Sequence, residues 1–501
     1  MNHSSDQLNE DSQVAAIRNF KGKYPPQIWH LFFTEMWERF CFYGMRGMLT
    51  IFMVSQLGLT DKAANLQYGA IQAFVYAFTF LGGLLSDKIL GFKRSLYWGA
   101  LLMMTGGYCI ALAPRELFYI GICFSIIGTG YFKPNISTMV GLLYNPGDPR
   151  RDAGFSLFYA GINLGALLGG ILMVYVGKYY SWSLAFALVG IVMTISLLNF
   201  YLTQKHLGSI GKSPLPDSWS PKRRIITEYA IYVGSLLTIP FILLLVTNTS
   251  YTDLFMYIIG PLTLIYLFWE MRRFNRPEKL KLTAALIFII FSIFFWAFFE
   301  QSGGSLSLFA LHNLKPDFFG LKIDPNVVNN SSNSLFVILL STPFGLFWLW
   351  MNRRKLEPNA AVKFGLGFIL LGGAFLIFYS TKFFADEEGI TSLELFTLAY
   401  FVITLGELCL SPIGLSLMTK LSPSSIQGLM MGMWFLASAY GQYVAGLLGA
   451  DMSLAHADAS NLEKLEAFTF GYQQLGIYAL ISGFLLTLIS PLIKKLMQDV
   501  K

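Results

Sequence analysis

Within the segment Glu35-Met-Trp-Glu38-Arg39-Phe-Cys-Phe42-Tyr43-Gly44-Met-Arg46, four charges interrupt a long apolar run. An ionisable side chain at mid-bilayer costs at least ~2.5 to 3.5 kcal/mol, so it faces a partner or a watery cavity. At about 100° per residue on a helix, Glu35, Arg39, Phe42 and Arg46 fall within roughly 60° of one another, flanked by Glu38 and Tyr43. Two acids and two bases on one face can exchange partners and protons. A packing salt bridge between helices needs only one such pair, and that plainer reading stays open.

Further polar groups recur in apolar surroundings. Gly128-Thr-Gly130-Tyr-Phe132-Lys133-Pro134-Asn135 sets a lysine beside a proline that removes a helix hydrogen bond, which predicts a kink at Lys133. Phe158-Tyr159-Ala-Gly161-Ile-Asn163-Leu-Gly165 holds one amide among small residues, as suited to gluing helices as to touching a ligand. Trp296 to Gln301 carries Glu300, and Gly406-Glu407-Leu-Cys-Leu-Ser411-Pro412 carries Glu407. Two lone carboxylates in apolar helices call for cationic partners or protons.

The elements that must position these groups are membrane spans. Of 501 residues, 54% are hydrophobic and 13% charged, which excludes an ordinary soluble domain. Residues 1–27 read as a polar cytoplasmic tail without a secretory signal. Runs long enough to cross ~30 Å of hydrocarbon occupy 28–55, 67–90, 95–113, 117–143, 153–176 and 182–202. A polar linker with Lys205, Lys212, Lys222, Arg223 and Arg224 follows. A hairpin of 225–246 and 251–269 comes next, and a second basic linker holds Arg272, Arg273, Arg276, Lys279 and Lys281. Six more runs lie at 282–311, 334–350, 364–381, 393–418, 425–448 and 468–492. The expectation is an all-α polytopic membrane protein of fourteen transmembrane helices: a six-helix bundle (28–203), a linker with an extra hairpin (204–281), a second six-helix bundle (282–493) and a short tail (494–501).

With both termini in the cytoplasm, most of the 36 Lys and Arg residues fall in cytoplasmic segments, as topology demands of basic residues. The net charge of +7 is thereby explained without nucleic acid. All four cysteines (Cys41, Cys109, Cys123, Cys409) lie in apolar spans, and no Cys/His cluster has metal spacing. No cofactor is implied, and no loop is large enough to suggest an enzyme.

Six spans, a basic linker and six spans is the plan of the major facilitator fold. Gly83-Leu-Leu-Ser-Asp87-Lys-Ile-Leu-Gly91-Phe-Lys93-Arg94 resembles its cytoplasmic-loop signature, with one extra residue between Asp87 and Gly91. More narrowly, the chain resembles the proton-dependent oligopeptide transporter family, prokaryotic type, over nearly its whole length. The family's Glu-x-x-Glu-Arg-Phe-x-Tyr-Tyr-Gly-Met-Arg pattern matches Glu35 to Arg46, with Phe42 replacing the first tyrosine. Phe-Lys-Pro-Asn is intact at Phe132 to Asn135. Phe-Tyr-x-x-Ile-Asn-x-Gly-Ser matches from Phe158 but ends in Ala166, and the usual Asn-Pro-x-Phe reads Asn333-Ser334-Leu-Phe336.

The resemblance implies a symporter of protons with di- and tripeptides in the cytoplasmic (inner) membrane. Arg46 and Lys133 match the family's pole for the peptide carboxylate. Glu407 matches its pole for the amino end, assisted by Asn163 and Asn333. Tyr43, Tyr76, Trp296 and Trp434 match side-chain pockets. Glu35, Glu38 and Arg39, interacting with Lys133, match the proton-coupling motif, with Glu300 pairing with Arg46. The five histidines sit at ends and loops, so proton handling falls to the glutamates. The alternatives are a major facilitator drug/proton antiporter or a carrier of another small zwitterionic or anionic solute.

Overall fold

The computed structural model describes residues 12–145, 147–216, 218–410, 414–454 and 459–498, so Ser411 and Pro412 lie outside the described residues. These are mostly helical, joined by turns and short loops, and the strand-like pairings among them are isolated β-bridges such as Leu314 with Thr391. Eighteen α-helices are named here in chain order. They are α1 Gln27–Ser55, α2 Asp61–Leu85, α3 Phe92–Leu112, α4 Phe118–Leu142, α5 Arg150–Tyr179, α6 Trp182–Thr203, α7 Pro221–Leu237, α8 Ile239–Thr247 and α9 Thr249–Met271. The second half has α10 Arg276–Phe299, α11 Ser305–His312, α12 Pro325–Arg353, α13 Ala360–Ser380, α14 Leu393–Leu410, α15 Gly414–Leu421, α16 Gln427–Asp451, α17 Asn461–Leu488 and α18 Ser490–Met497.

Among the described residues each expected run overlaps at least one α-helix, and the run 393–418 crosses residues 411–413, which lie outside them. Among the described residues, ten helical stretches are long and apolar enough to cross a bilayer, and up to eleven if the pair α17 and α18, bent by 54°, counts as one. The first helix fails that measure because Glu35, Glu38, Arg39 and Arg46 crowd it. Only 17% of the apolar stretch of α9 and 11% of that of α12 are buried, so most of both stretches is at least partly exposed.

Several helix starts differ from the apolar runs because capping, not hydropathy, sets them. Asp324 accepts from the Asn326 and Val327 amides ahead of Pro325. The eighth helix of the two-bundle count therefore begins at Pro325, well before residue 334, and draws in Asn326, Asn329 and Asn330. Likewise Ser460 and Glu463 form a capping box that starts α17 at Asn461 instead of 468.

Packing divides the chain into two units. One holds the residues up to Met48 together with Phe74–Thr247; the other holds Leu49–Ala73 and the chain from Asn248 onward. In the first unit, α3 lies along α4 and α6. The loop signature takes a definite shape: α2 ends in a π turn, Ser86–Leu90, and Gly91 at φ 75° reverses the chain into α3. Asn135 Nδ2 donates to Ser86 Oγ at 2.7 Å and to the Tyr131 carbonyl at 2.6 Å. The second contact stays within α4, which runs as one helix from Phe118 to Leu142 with Pro134 inside it.

The basic linker is strapped to the same loop. Lys93 Nζ donates to the Gly208 carbonyl at 2.7 Å, and Ser213 Oγ donates to the Ile89 carbonyl at 2.6 Å. The first leg of the hairpin joins them through the Arg94–Glu228 ion pair and through Trp98 Nε1 donating to Ser235 Oγ at 3.0 Å.

In the second unit, α10 and α11 are one apolar stretch broken by a 3-10 turn over Glu300–Gly303. The carbonyls this break releases are collected by side chains. Thr50 Oγ1 donates to Gly303 at 2.9 Å, and Asn329 Nδ2 donates to Ser302 at 2.8 Å. Asn65 Nδ2 donates to Ser453 Oγ at 3.0 Å, while Asp61 meets His312 at 3.3 Å. On α9, Asp253 accepts from Tyr443 Oη at 2.6 Å.

A Cβ at Gly91 would collide with the Lys212 carbonyl, at a backbone angle side chains rarely adopt. Gly91→Val is therefore expected to destabilise the protein by about 1–3 kcal/mol, read as a lower midpoint of thermal unfolding in detergent. An unchanged midpoint would show that the linker is not fixed by this turn.

Candidate functional site

In the first unit the charged stripe of α1 folds onto itself. Arg39 Nε lies 3.0 Å from Glu35 Oε1 and also contacts Glu38 Oε2, with side-chain exposures of 2%, 3% and 0% for Arg39, Glu35 and Glu38. The guanidinium thus serves two carboxylates one turn apart, while Glu35 Oε2 and Glu38 Oε1 are buried without a hydrogen-bond partner. Helix α5 seals this cluster. A Cβ at Gly165 would strike the Met36 carbonyl and come within 3.0 Å of Arg39 Cβ, so only glycine allows the two backbones so close.

Lys133, on α4, has no carboxylate oxygen within 4.0 Å among the described residues. Its ammonium lies 4.2 Å from the Tyr76 ring centre and 5.9 Å from that of Phe42. Glu35, Glu38, Arg39 and Tyr43 act on its charge from α1. Arg39 Cζ stands 5.1 Å from the same Phe42 ring, and Arg46 Cζ lies 5.8 Å from the Tyr43 ring. Asn163 is buried and donates to the Tyr159 carbonyl of its own helix at 2.9 Å.

In the second unit, α12 and α14 face each other along a ladder of polar side chains. Asn333 Nδ2 donates to Glu407 Oε2 at 2.8 Å and lies 3.2 Å from Thr404 Oγ1. One turn away, Tyr400 Oη donates to Asn329 Oδ1 at 2.6 Å, and further along Asn326 Nδ2 donates to the Ser307 carbonyl at 2.7 Å. Glu300 is buried at the start of the 3-10 turn. Trp296 stands edge-on to Phe295 and Phe299, with ring centres 5.5 and 5.4 Å away, and Trp434 is 8% exposed within the core.

Sequence reasoning therefore selected Asn333 and Glu407, which the fold brings together, but missed Thr404, Tyr400 and Asn329 on the same ladder. The i, i+4, i+7 spacing of Tyr400, Thr404 and Glu407 was the available signal. Arg46 and Glu300 belong to different units.

The PTR2 pattern, described as the POT family, matches residues 93–462. The chain belongs to the POT family. It is 34% identical to the peptide transporter YePEPT of Yersinia enterocolitica, over 96% of this chain and 97% of that one. It is 29% identical to dipeptide and tripeptide permease B of Xenorhabdus bovienii, over 95% and 97%. Among solved structures it resembles the peptide transporter POT in complex with sulfate, with a TM-score of 0.82, 31% identity and coverage of 98% and 99%. Family and apolar helices together make this a multi-pass membrane transport protein. Lys133, Asn163, Glu300, Asn333, Glu407 and Trp434 lie within the residues matched to the POT pattern, while the Glu35–Arg46 stripe precedes them.

Removing Arg39 leaves two carboxylates buried without a counter-charge, a change worth about 3–5 kcal/mol. Arg39→Ala is expected to lower the thermal unfolding midpoint, and adding Glu35→Gln and Glu38→Gln should recover much of the loss. A midpoint equal to the wild type would show that the cluster is not held by charge.

Proposed function

We infer that this chain takes up di- and tripeptides together with protons across the cytoplasmic membrane, by alternating access of six-helix bundles at 28–203 and 282–493. In this reading the protein has fourteen spans and both termini in the cytoplasm. The observation that carries the inference is the arrangement around Arg39. One guanidinium engages both acids, and Lys133 rests over aromatic rings without a carboxylate in reach among the described residues. A cation so placed is available to a ligand carboxylate.

A peptide has a carboxylate at one end and an ammonium at the other whatever its side chains, so a broad-range carrier needs one pole of each sign. Lys133 and Arg46 would take the carboxylate. Glu407, oriented by Asn333 and assisted by Asn163, would take the amino end. Tyr43, Tyr76, Trp296 and Trp434 would line tolerant walls, since aromatic faces are apolar and yet accept polar contacts.

Glu35 and Glu38 would carry the proton. Protonating either acid loosens its hold on Arg39 and changes which partners the cations keep, and Glu300 would exchange with Arg46 in the same way. One proton driven by about 100 mV yields ~2.3 kcal/mol, and one pH unit adds ~1.4 kcal/mol. That suffices for accumulation on the order of several hundredfold.

Lys133→Ala and Glu407→Ala are each expected to abolish most uptake of labelled dialanine into proteoliposomes while the protein still inserts, because either change leaves a peptide terminus unpaired. Near-normal uptake by both would sink the two-pole reading. Unlabelled dialanine and trialanine should compete with the label and free alanine should not. A lack of competition by any peptide would favour a drug/proton antiporter or a carrier of another small zwitterionic or anionic solute.

Carrying the proton separates from carrying the peptide at Glu38. Glu38→Gln is expected to lose uptake driven by an inward proton gradient but to keep counterflow, in which labelled and unlabelled peptide exchange without net proton movement. A well-folded variant that still concentrates peptide in response to pH would remove Glu38 from the coupling set.

A further inference from the structure

Lys133 presents a physical problem that ion pairing does not solve. An ammonium in an apolar span is stable only with counter-charge or water, and here both nearby carboxylates are engaged by Arg39. What lies against Lys133 is a pair of rings: Tyr76 of α2, with its centre 4.2 Å from Nζ, and Phe42 of α1, with its centre 5.9 Å away. Both distances fall within the range over which an aromatic face attracts a cation, an attraction that strengthens when water is excluded. Phe42 is 4% exposed, and its ring also lies 5.1 Å from Arg39 Cζ. One ring is therefore shared by two cations that repel each other.

We propose that Tyr76 and Phe42 form an aromatic seat for the Lys133 ammonium, making both positioning residues that hold Lys133 ready for a peptide carboxylate while Arg39 occupies Glu35 and Glu38. This rests on the peptide reading above and assigns Tyr76 a task other than lining a side-chain pocket. The chemistry suits a cation that must change partners. A ring face offers charge complementarity without a directional hydrogen bond, so Lys133 is stabilised but not fixed. Phe42, lacking a hydroxyl, adds no acceptor to compete with the incoming carboxylate. The charged and titratable groups around the seat are Glu35, Glu38, Arg39 and Tyr43 from α1 and Tyr76 from α2. The substitutions at position 42 leave all of them in place, and the series at position 76 removes only the Tyr76 phenol.

The test alters the electrostatics of a ring without altering its shape. Phenylalanine carrying one, two or three fluorine atoms, which progressively weaken the negative ring face, is placed at position 42, and in a separate series at position 76 in a Tyr76→Phe background. Dialanine counterflow is measured in proteoliposomes. The KM is expected to climb with each fluorine, reaching about tenfold for the trifluoro ring, while the maximal counterflow rate stays within about twofold. Each series is read against its own unfluorinated parent, and Tyr76→Leu should match or exceed the trifluoro effect. A pure packing role predicts no trend with fluorine, because the ring's shape and burial persist. A flat series at both positions in a protein whose wild type transports dialanine would overturn the seat and leave the peptide reading standing. Absence of dialanine transport by the wild type would overturn both.

Discussion

The structure depends on keeping Glu35, Glu38 and Arg39 ionisable while buried in a long, otherwise apolar helix. Each of these groups alone would be costly to bury. Together they are tolerable because one planar guanidinium reaches two carboxylates on adjacent turns. That solution requires close packing around it, and the packing is supplied by Gly165 of α5, which brings a bare backbone against α1 at the level of Arg39. Acids held this way remain a small step from exchanging partners, since each keeps a buried oxygen with no hydrogen-bond donor.

The second unit meets the same difficulty with neutral groups. Glu407 is held by an amide, and the amide stands on a ladder in which Asn326, Asn329 and Asn333 of α12 bond to carbonyls and side chains of α11, α14 and the 3-10 turn. Asn329 holds the Ser302 carbonyl while its side-chain oxygen accepts from the Tyr400 hydroxyl, and the Tyr400 carbonyl accepts from Thr404, beside Asn333, so Tyr400 links the break after Glu300 to the Glu407 side of the ladder. In a dry interior such a network is rigid when every member is satisfied.

Much of this was legible in the sequence where physics is local. Four charges in one apolar helix, a lysine beside a proline and a pair of lone carboxylates are visible to anyone counting charges against the 30 Å of a bilayer. The helix pattern followed from hydropathy, and the errors at Pro325 and Asn461 arose where a polar cap extends a helix past its apolar part. Around the proline next to Lys133 the chain stays helical from Phe118 to Leu142, and the Asn135 side chain donates to the Tyr131 carbonyl of the same helix. What could not be read is which groups meet across long chain separations. The rings under Lys133, and the placement of Thr404 and Tyr400 beside the asparagines of α12, belong to residue types common in any apolar helix.

The stretch from Leu49 to Ala73 carries a different implication, for how the chain is made. Thr50 finds its acceptor 253 residues later at Gly303, and Asn65 finds Ser453 388 residues later. At a synthesis rate of roughly 5–20 residues per second, these polar groups enter the bilayer many seconds before their partners exist. An early hairpin of α1 and α2 must therefore wait without these distant partners, although Asn65 can already donate to the Asp61 carbonyl of its own helix. Closing those contacts is among the last events of biogenesis, so a ribosome stalled before α16 would leave the beginning of the protein, not merely its end, unfinished.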